Sequence, residues 1–140
     1  MQNPIRIGIA GYGNLGRGVE RAIHKNPDLQ LVGIFTRRAP ETVAPCFADT
    51  AVFHMDALND FQDKVDVLIL CGGSQDDLPK QGPALAGLFN IVDSFDTHAR
   101  IPEYYASVDA PATANQKTAM ISIGWDPGMF SINRLFGEAL

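Results

Sequence analysis

The run Ile5-Arg6-Ile7-Gly8-Ile9-Ala10 leads without a break into Gly11-Tyr12-Gly13-Asn14-Leu15-Gly16. An apolar strand followed by Gly-x-Gly-x-x-Gly, with a helical pattern behind it, constrains the fold more than any other feature of the chain. Leu15, Val19, Ala22 and Ile23 recur at helical spacing, so the glycines are expected at a strand-to-helix turn. Each glycine then has a physical job. Gly11 permits the tight turn, Gly13 lets the backbone approach a pyrophosphate, and Gly16 lets helix and strand pack closely. The first helical N–H groups and the positive end of the helix would face the phosphates. The motif alone is weak evidence; in this setting it predicts dinucleotide binding.

Further along, apolar runs alternate with helical ones. Strands are expected at Leu29 to Phe35, Ala51 to Phe53, Val65 to Cys71, Asn90 to Asp93 and Ala119 to Ile123. One or two helical turns are expected between Asp56 and Asp63. Longer helices are expected over Asp77 to Leu88, with Pro79 in its first turn, and over Ile101 to Asn115, despite Pro111. This order predicts an α/β fold: a Rossmann-like, doubly wound, mostly parallel sheet with helices on both faces. The 140 residues suit a single dinucleotide-binding domain. The last stretch, Ser131 to Leu140, reads as an amphipathic helix without a stop signal, which suggests the amino-terminal portion of a longer protein.

A net charge of −5 argues against a general nucleic-acid binder. No apolar run approaches the ~20 residues that span a bilayer, and no basic-then-apolar signal precedes the first strand. Two cysteines, Cys46 and Cys71, make neither a disulfide framework nor a zinc site. The expectation is a cytoplasmic protein with reduced thiols and no metal.

Just past the second strand, an NAD-binding chain usually carries an acidic residue, about 20 residues after the glycines, for the ribose hydroxyls. This chain has Thr36-Arg37-Arg38. Guanidinium groups can hold a 2′-phosphate by charge-assisted hydrogen bonds that a carboxylate would oppose. The expected cofactor is therefore NADP(H), the competing reading being a solvated basic turn.

Ligands of such sheets bind outside the carboxyl ends of the strands. Three further strand ends carry suggestive residues: Cys71-Gly72-Gly73-Ser74, Asp93-Ser94-Phe95-Asp96-Thr97-His98 and Gly124-Trp125-Asp126-Pro127-Gly128-Met129. Cys71 has no basic neighbour in sequence to activate it, so a packed thiol outranks a nucleophile. Asp96 and Asp126 follow different strands into one crevice, where two carboxylates can hold an ammonium group. Turn and helix-cap roles compete for each of them. Asp93 reads as structural, and His98 as a polar contact before a proton carrier. Trp125 reads as an apolar wall beside nicotinamide or substrate, with core packing an equal alternative.

Gly-Tyr-Gly-Asn-Leu-Gly-Arg, Gly-Ile-Phe-Thr-Arg-Arg and Gly-Trp-Asp-Pro-Gly-Met-Phe-Ser-Ile-Asn-Arg, in this order and spacing, resemble the meso-diaminopimelate D-dehydrogenases. The likeness runs from Ile5 to the last residue, and the last motif is the most specific. It implies a reversible, NADP-dependent oxidation of the D-centre of meso-2,6-diaminopimelate, giving L-2-amino-6-oxopimelate and ammonia. It implies a cofactor lining by Tyr12, Gly13, Asn14 and Leu15; Thr36, Arg37 and Arg38; Cys71, Gly72, Gly73 and Ser74; Phe95, Asp96 and Thr97; and Pro127, Gly128, Met129, Phe130 and Ser131. Asp96 and Asp126 would hold the D-centre amino group, with Trp125 and Met129 on the substrate side. The family pattern differs at Gly72-Gly73, where a bulky residue usually precedes the glycine, and at Arg100, where an acid is common. Family members continue well past residue 140. Their further domain binds the L-centre and the distal carboxylate and makes much of a homodimer contact, so this chain would carry cofactor binding and half a substrate site. A non-catalytic NADP(H)-sensing domain and an oxidoreductase of the homoserine dehydrogenase or dihydrodipicolinate reductase type are the alternatives.

Overall fold

In the computed structural model, which describes residues 3–139, the glycine turn joins strand β1 (Ile5–Ala10) to helix α1 (Asn14–His24). Strands β2 (Leu29–Thr36), β3 (Val52–His54), β4 (Val67–Leu70), β5 (Asn90–Asp93) and β6 (Ala119–Met120) complete one sheet. Its order is β3-β2-β1-β4-β5-β6 and every pairing is parallel. Helices α2 (Leu78–Ala86) and α3 (Ile101–Ala114) make the crossovers of the second half, and α4 (Met129–Glu138) follows the last strand. The Rossmann-like α/β fold is thus the one expected. The strand order reverses between β1 and β4, and at that switch point their carboxyl ends open a crevice.

Alternation along the strands divides the apolar side chains between the two faces. Ile7, Ile9 and Ile34 pack with Ile23 of α1, Tyr12 and Val43. Phe35, Leu68, Leu70 and Ile91 pack with Leu78 and Ala86 of α2 and with Tyr104, Val108 and Ala112 of α3. Burying both faces explains why β4 reads as an unbroken apolar run.

Several local expectations need correction. The buried stripe of α1 is Gly16, Glu20 and Ile23, whereas Ala22 is exposed and Leu15 is 44% exposed. Strand β6 is only two residues long, because Ser122 takes φ 59° and turns the chain out of the sheet. Helix α2 retains Pro83 in its interior and stops at Ala86, and α4 begins at Met129, two residues early. Of the terminal segments read from sequence, Met1, Gln2 and Leu140 lie outside the described residues. Among the described residues, no helix is long and apolar enough to cross a membrane and no cluster could hold a metal ion.

Candidate dinucleotide site

At the switch point lies a cavity of about 360 Å³, lined by Gly11, Tyr12, Gly13, Thr36, Arg37, Arg38, Met55, Cys71, Gly72, Gly73, Asp77 and Gln81. Four separate segments supply these residues, and three of them contain the turns read from sequence. The glycines behave as their chemistry requires. Gly11 has φ +95°, and a Cβ on Gly16 would lie 2.5 Å from the Gly11 carbonyl oxygen. A Cβ on Gly13 would meet nothing within 4 Å. Gly13 therefore keeps open space for a ligand, and its substitution need not disturb the core. Helix α1 has no side-chain cap at Gly13 and no acidic residue in its first turn, so its first N–H groups remain available to an anion.

The arginines are held differently. Arg38 donates to the Tyr12 carbonyl oxygen at 2.7 Å, and its backbone N–H donates to Thr36 Oγ1 at 3.1 Å. Arg37 reaches across the cavity to Asp77 at 2.8 Å. Both line the space in which a dinucleotide would lie.

Behind the glycine turn sits a group that sequence reasoning missed. Glu20 is 0% exposed. Its Oε2 accepts from the Tyr12 hydroxyl and from the Cys46 N–H at 2.9 Å. Its Oε1 accepts from Thr50 Oγ1 at 2.8 Å and, at 3.4 Å, from the Phe47 N–H. Burial alone would raise its pKa, but the hydrogen bonds from Tyr12, Cys46 and Thr50 outweigh that and hold it below the ordinary value. Burial, then hydrogen bonding to Cys46 and Glu20, pushes the Tyr12 phenol well above its usual range. The His24 ring stacks on Phe47 at 3.7 Å, clamping the 44–50 loop on α1. Glu20 thus anchors Tyr12 by its hydroxyl, while the carbonyl of the same residue braces Arg38.

Cys71, at the end of β4, is half-buried, and burial pushes its thiol up to about 12. At neutral pH it is a packed, protonated thiol, not an activated nucleophile. Gly72 cannot be bulky here: a Cβ would lie 2.7 Å from the Asp77 Cβ and 2.8 Å from Gln81 Oε1. Ser74 Oγ accepts from the Asp96 N–H at 3.1 Å, tying the loop after β5 to the loop after β4.

The buried carboxylate of Asp93 fastens the far half of the crevice. It accepts from Tyr104 Oη at 2.6 Å, from the Phe95 N–H at 2.9 Å and from the Ser122 N–H at 3.0 Å. Burial, with Asp93 beside it, raises the Tyr104 phenol far above its usual range. The Phe95 ring is fully buried and stacks on Tyr104 at 4.1 Å. Asp96 is exposed and Thr97 half-buried on the same loop.

Asp126 is partly enclosed by groups from two other elements, α4 and the turn that precedes α3. Its Oδ1 accepts from Arg134 at 3.1 Å and from Ser131 Oγ at 3.4 Å, with His98 Nε2 also at 3.4 Å. All three reach the same oxygen, so Oδ2 remains for a cation. Gly128, at φ +138°, allows the Trp125–Pro127 turn to close, since a Cβ would strike the Gly124 carbonyl oxygen at 1.9 Å. Trp125 is 67% exposed and stacks on Phe130 at 5.8 Å, with Arg134 over the Phe130 ring. Trp125 and Met129 are surface side chains of this segment.

No family model matches the chain. Meso-diaminopimelate D-dehydrogenase of Ureibacillus thermosphaericus is 60% identical over 97% of the chain and 41% of that protein. Diaminopimelate dehydrogenase of Corynebacterium glutamicum, solved in complex with DAP, superposes with a TM-score of 0.89 at 47% identity, over 99% of this chain and 42% of that one. An engineered D-amino acid dehydrogenase solved bound to NADP+ gives a TM-score of 0.89 at 47% identity, over 98% of this chain and 41% of that one. The chain spans about two-fifths of the length of these relatives. Over nearly its whole length, from the glycine turn to α4, it matches the amino-terminal part of the meso-diaminopimelate D-dehydrogenases.

Proposed function

We propose that residues 1–140 form the dinucleotide-binding domain of an NADP-dependent amino-acid dehydrogenase acting on meso-2,6-diaminopimelate. The observation that carries this reading is the switch-point crevice, with an uncapped helix, open space at Gly13 and two arginines where an NAD site would have an acid. The fit is chemical. The N–H groups of Asn14, Leu15 and Gly16 suit a pyrophosphate, and Thr36, Arg37 and Arg38 suit a 2′-phosphate. Cys71, Gly72, Gly73 and Ser74 would line one side, with the backbone of Phe95 to Thr97 and the turn from Pro127 to Ser131 on the other.

When bound, the nicotinamide supplies the hydride acceptor. Asp96 and Asp126 would hold the D-centre ammonium by charge-assisted hydrogen bonds and orient its C–H bond. Trp125 and Met129 would exclude water from one side. Loss of hydride leaves an imine, and addition of water releases ammonia and the 6-oxo product. The L-centre and distal carboxylate would be held by residues beyond this segment, so the segment alone would turn over poorly. The reading includes a cytoplasmic setting, supported by the free thiols of Cys46 and Cys71, and a homodimer, supported only by the resemblance. An NADP(H)-sensing role would have no use for Asp96 together with Asp126.

The test is a chimera joining this segment to the remainder of the Corynebacterium glutamicum enzyme. It should reduce NADP+ in the presence of meso-diaminopimelate, and Asp126→Asn should lower kcat/KM by about ten- to a hundred-fold with little change in NADPH affinity. A folded chimera that binds NADPH yet oxidises no diaminopimelate would refute the substrate assignment.

A further inference from the structure

An ion pair that cofactor binding does not require spans the crevice. Arg37, from the end of β2, donates from NH2 to Asp77 Oδ1 at 2.8 Å. The other Asp77 oxygen accepts from the Gly73 N–H at 3.1 Å. Arg37 is 67% exposed at its side chain and Asp77 only 21%, so the carboxylate belongs to the wall and the guanidinium has been drawn to it. Asp77 occupies that wall because residue 72 has no Cβ, which would come within 2.7 Å of the Asp77 Cβ. Arg38, by contrast, is braced by the neutral Tyr12 carbonyl. Of the two guanidinium groups, Arg37 is the one already neutralised by a carboxylate.

We propose that Asp77 is a specificity-determining residue: its carboxylate competes with the 2′-phosphate of NADP(H) for Arg37, so the site holds NADP(H) less tightly than its two arginines alone would. This rests on the crevice being the NADP(H) site. A phosphate dianion approaching Arg37 meets a second anion beside it. Asp77 must then stay, with like-charge repulsion, or swing away and lose its bond to Gly73. A dinucleotide without the 2′-phosphate makes no demand on Arg37 and is indifferent to Asp77. The consequence is a selectivity for NADP(H) that is tuned below its maximum, which favours release of the cofactor.

Asp77→Asn removes the charge while keeping the shape and an acceptor for Gly73; Asp77→Ser keeps a smaller acceptor. Each variant of the 140-residue chain is titrated with NADPH, NADH and adenosine 2′,5′-bisphosphate. Both should bind NADPH and the bisphosphate about two- to five-fold more tightly than the unaltered chain, the span of a partly exposed ion pair, with NADH unmoved. In an Arg37→Ala background the gain should vanish. Unchanged or weaker NADPH binding in both variants, while the unaltered chain still prefers NADPH, overturns the role of Asp77 alone. An unaltered chain that binds NADH as tightly as NADPH overturns the cofactor reading and this inference with it.

Discussion

Replacing Glu20 by glutamine changes one oxygen to an NH2 group in a site where every partner is a donor. Oε1 accepts from the Phe47 N–H and the Thr50 hydroxyl, and Oε2 from the Cys46 N–H and the Tyr12 hydroxyl. A hydroxyl can rotate and accept, but a backbone N–H cannot. With the NH2 on the Oε1 side the Phe47 N–H loses its acceptor; on the Oε2 side the Cys46 N–H loses the carboxylate and keeps only the Tyr12 hydroxyl, at 3.0 Å. A buried donor left unpaired costs about 1–3 kcal/mol. For a domain of this size that corresponds to a fall in Tm of roughly 3–10 °C. The damage should also reach the cofactor, since Tyr12 carries both the anchor to Glu20 and the carbonyl that braces Arg38. Thermal melts followed by NADPH titration of the folded variant test both effects. A variant with unchanged Tm and unchanged NADPH affinity would show that the buried carboxylate neither holds the loop nor positions the glycine turn.

Gly13→Val should leave the circular dichroism spectrum unchanged, because its Cβ enters open space, and should abolish binding of both NADPH and NADH; a folded variant with normal affinity would remove Gly13 from the pyrophosphate site. Acid should expose the same buried carboxylate. The folded-state pKa of Glu20 lies below its ordinary 4.5, so its stabilisation is complete above that value and is lost as the pH falls through the folded one. Asp66, held below its ordinary 3.8 chiefly by the Arg6 side chain, should add its own, smaller loss as the pH falls below that value, since the pair is partly exposed. Melts across this range should show the first loss in the unaltered chain and a weakened one in Glu20→Gln; identical acid sensitivity of the two would contradict the assignment.

The frame of this fold was legible because its signals are local. Short apolar runs marked all six strands, and β5 matched at both ends. The glycine spacing marked the turn, and Thr36-Arg37-Arg38 marked one wall of the crevice. What escaped was carried by groups far apart in sequence. A glutamate at position 20 reads as solvent-facing, because two of its four donors are backbone N–H groups more than twenty residues away. The end of β6 was overrun because Ser122 turns out of the sheet to donate to Asp93, and no apolar pattern registers that bond. The sequence also placed Asp126 in one crevice with Asp96 without showing that Arg134, Ser131 and His98 gather on one of its oxygens. The sequence pointed to the crevice; the long-range polar contacts that shape it became visible only in the fold.

The central claim is that the crevice recognises a 2′-phosphate through the arginines after β2. Parallel calorimetric titration of the unaltered chain and of Arg38→Ala with NADPH and NADH tests it most directly. The unaltered chain should prefer NADPH, and Arg38→Ala should lose about 1.5–3 kcal/mol of NADPH binding, the worth of a charged hydrogen bond, with NADH little affected. Equal affinities in the unaltered chain, or equal losses for both cofactors in the variant, would contradict it.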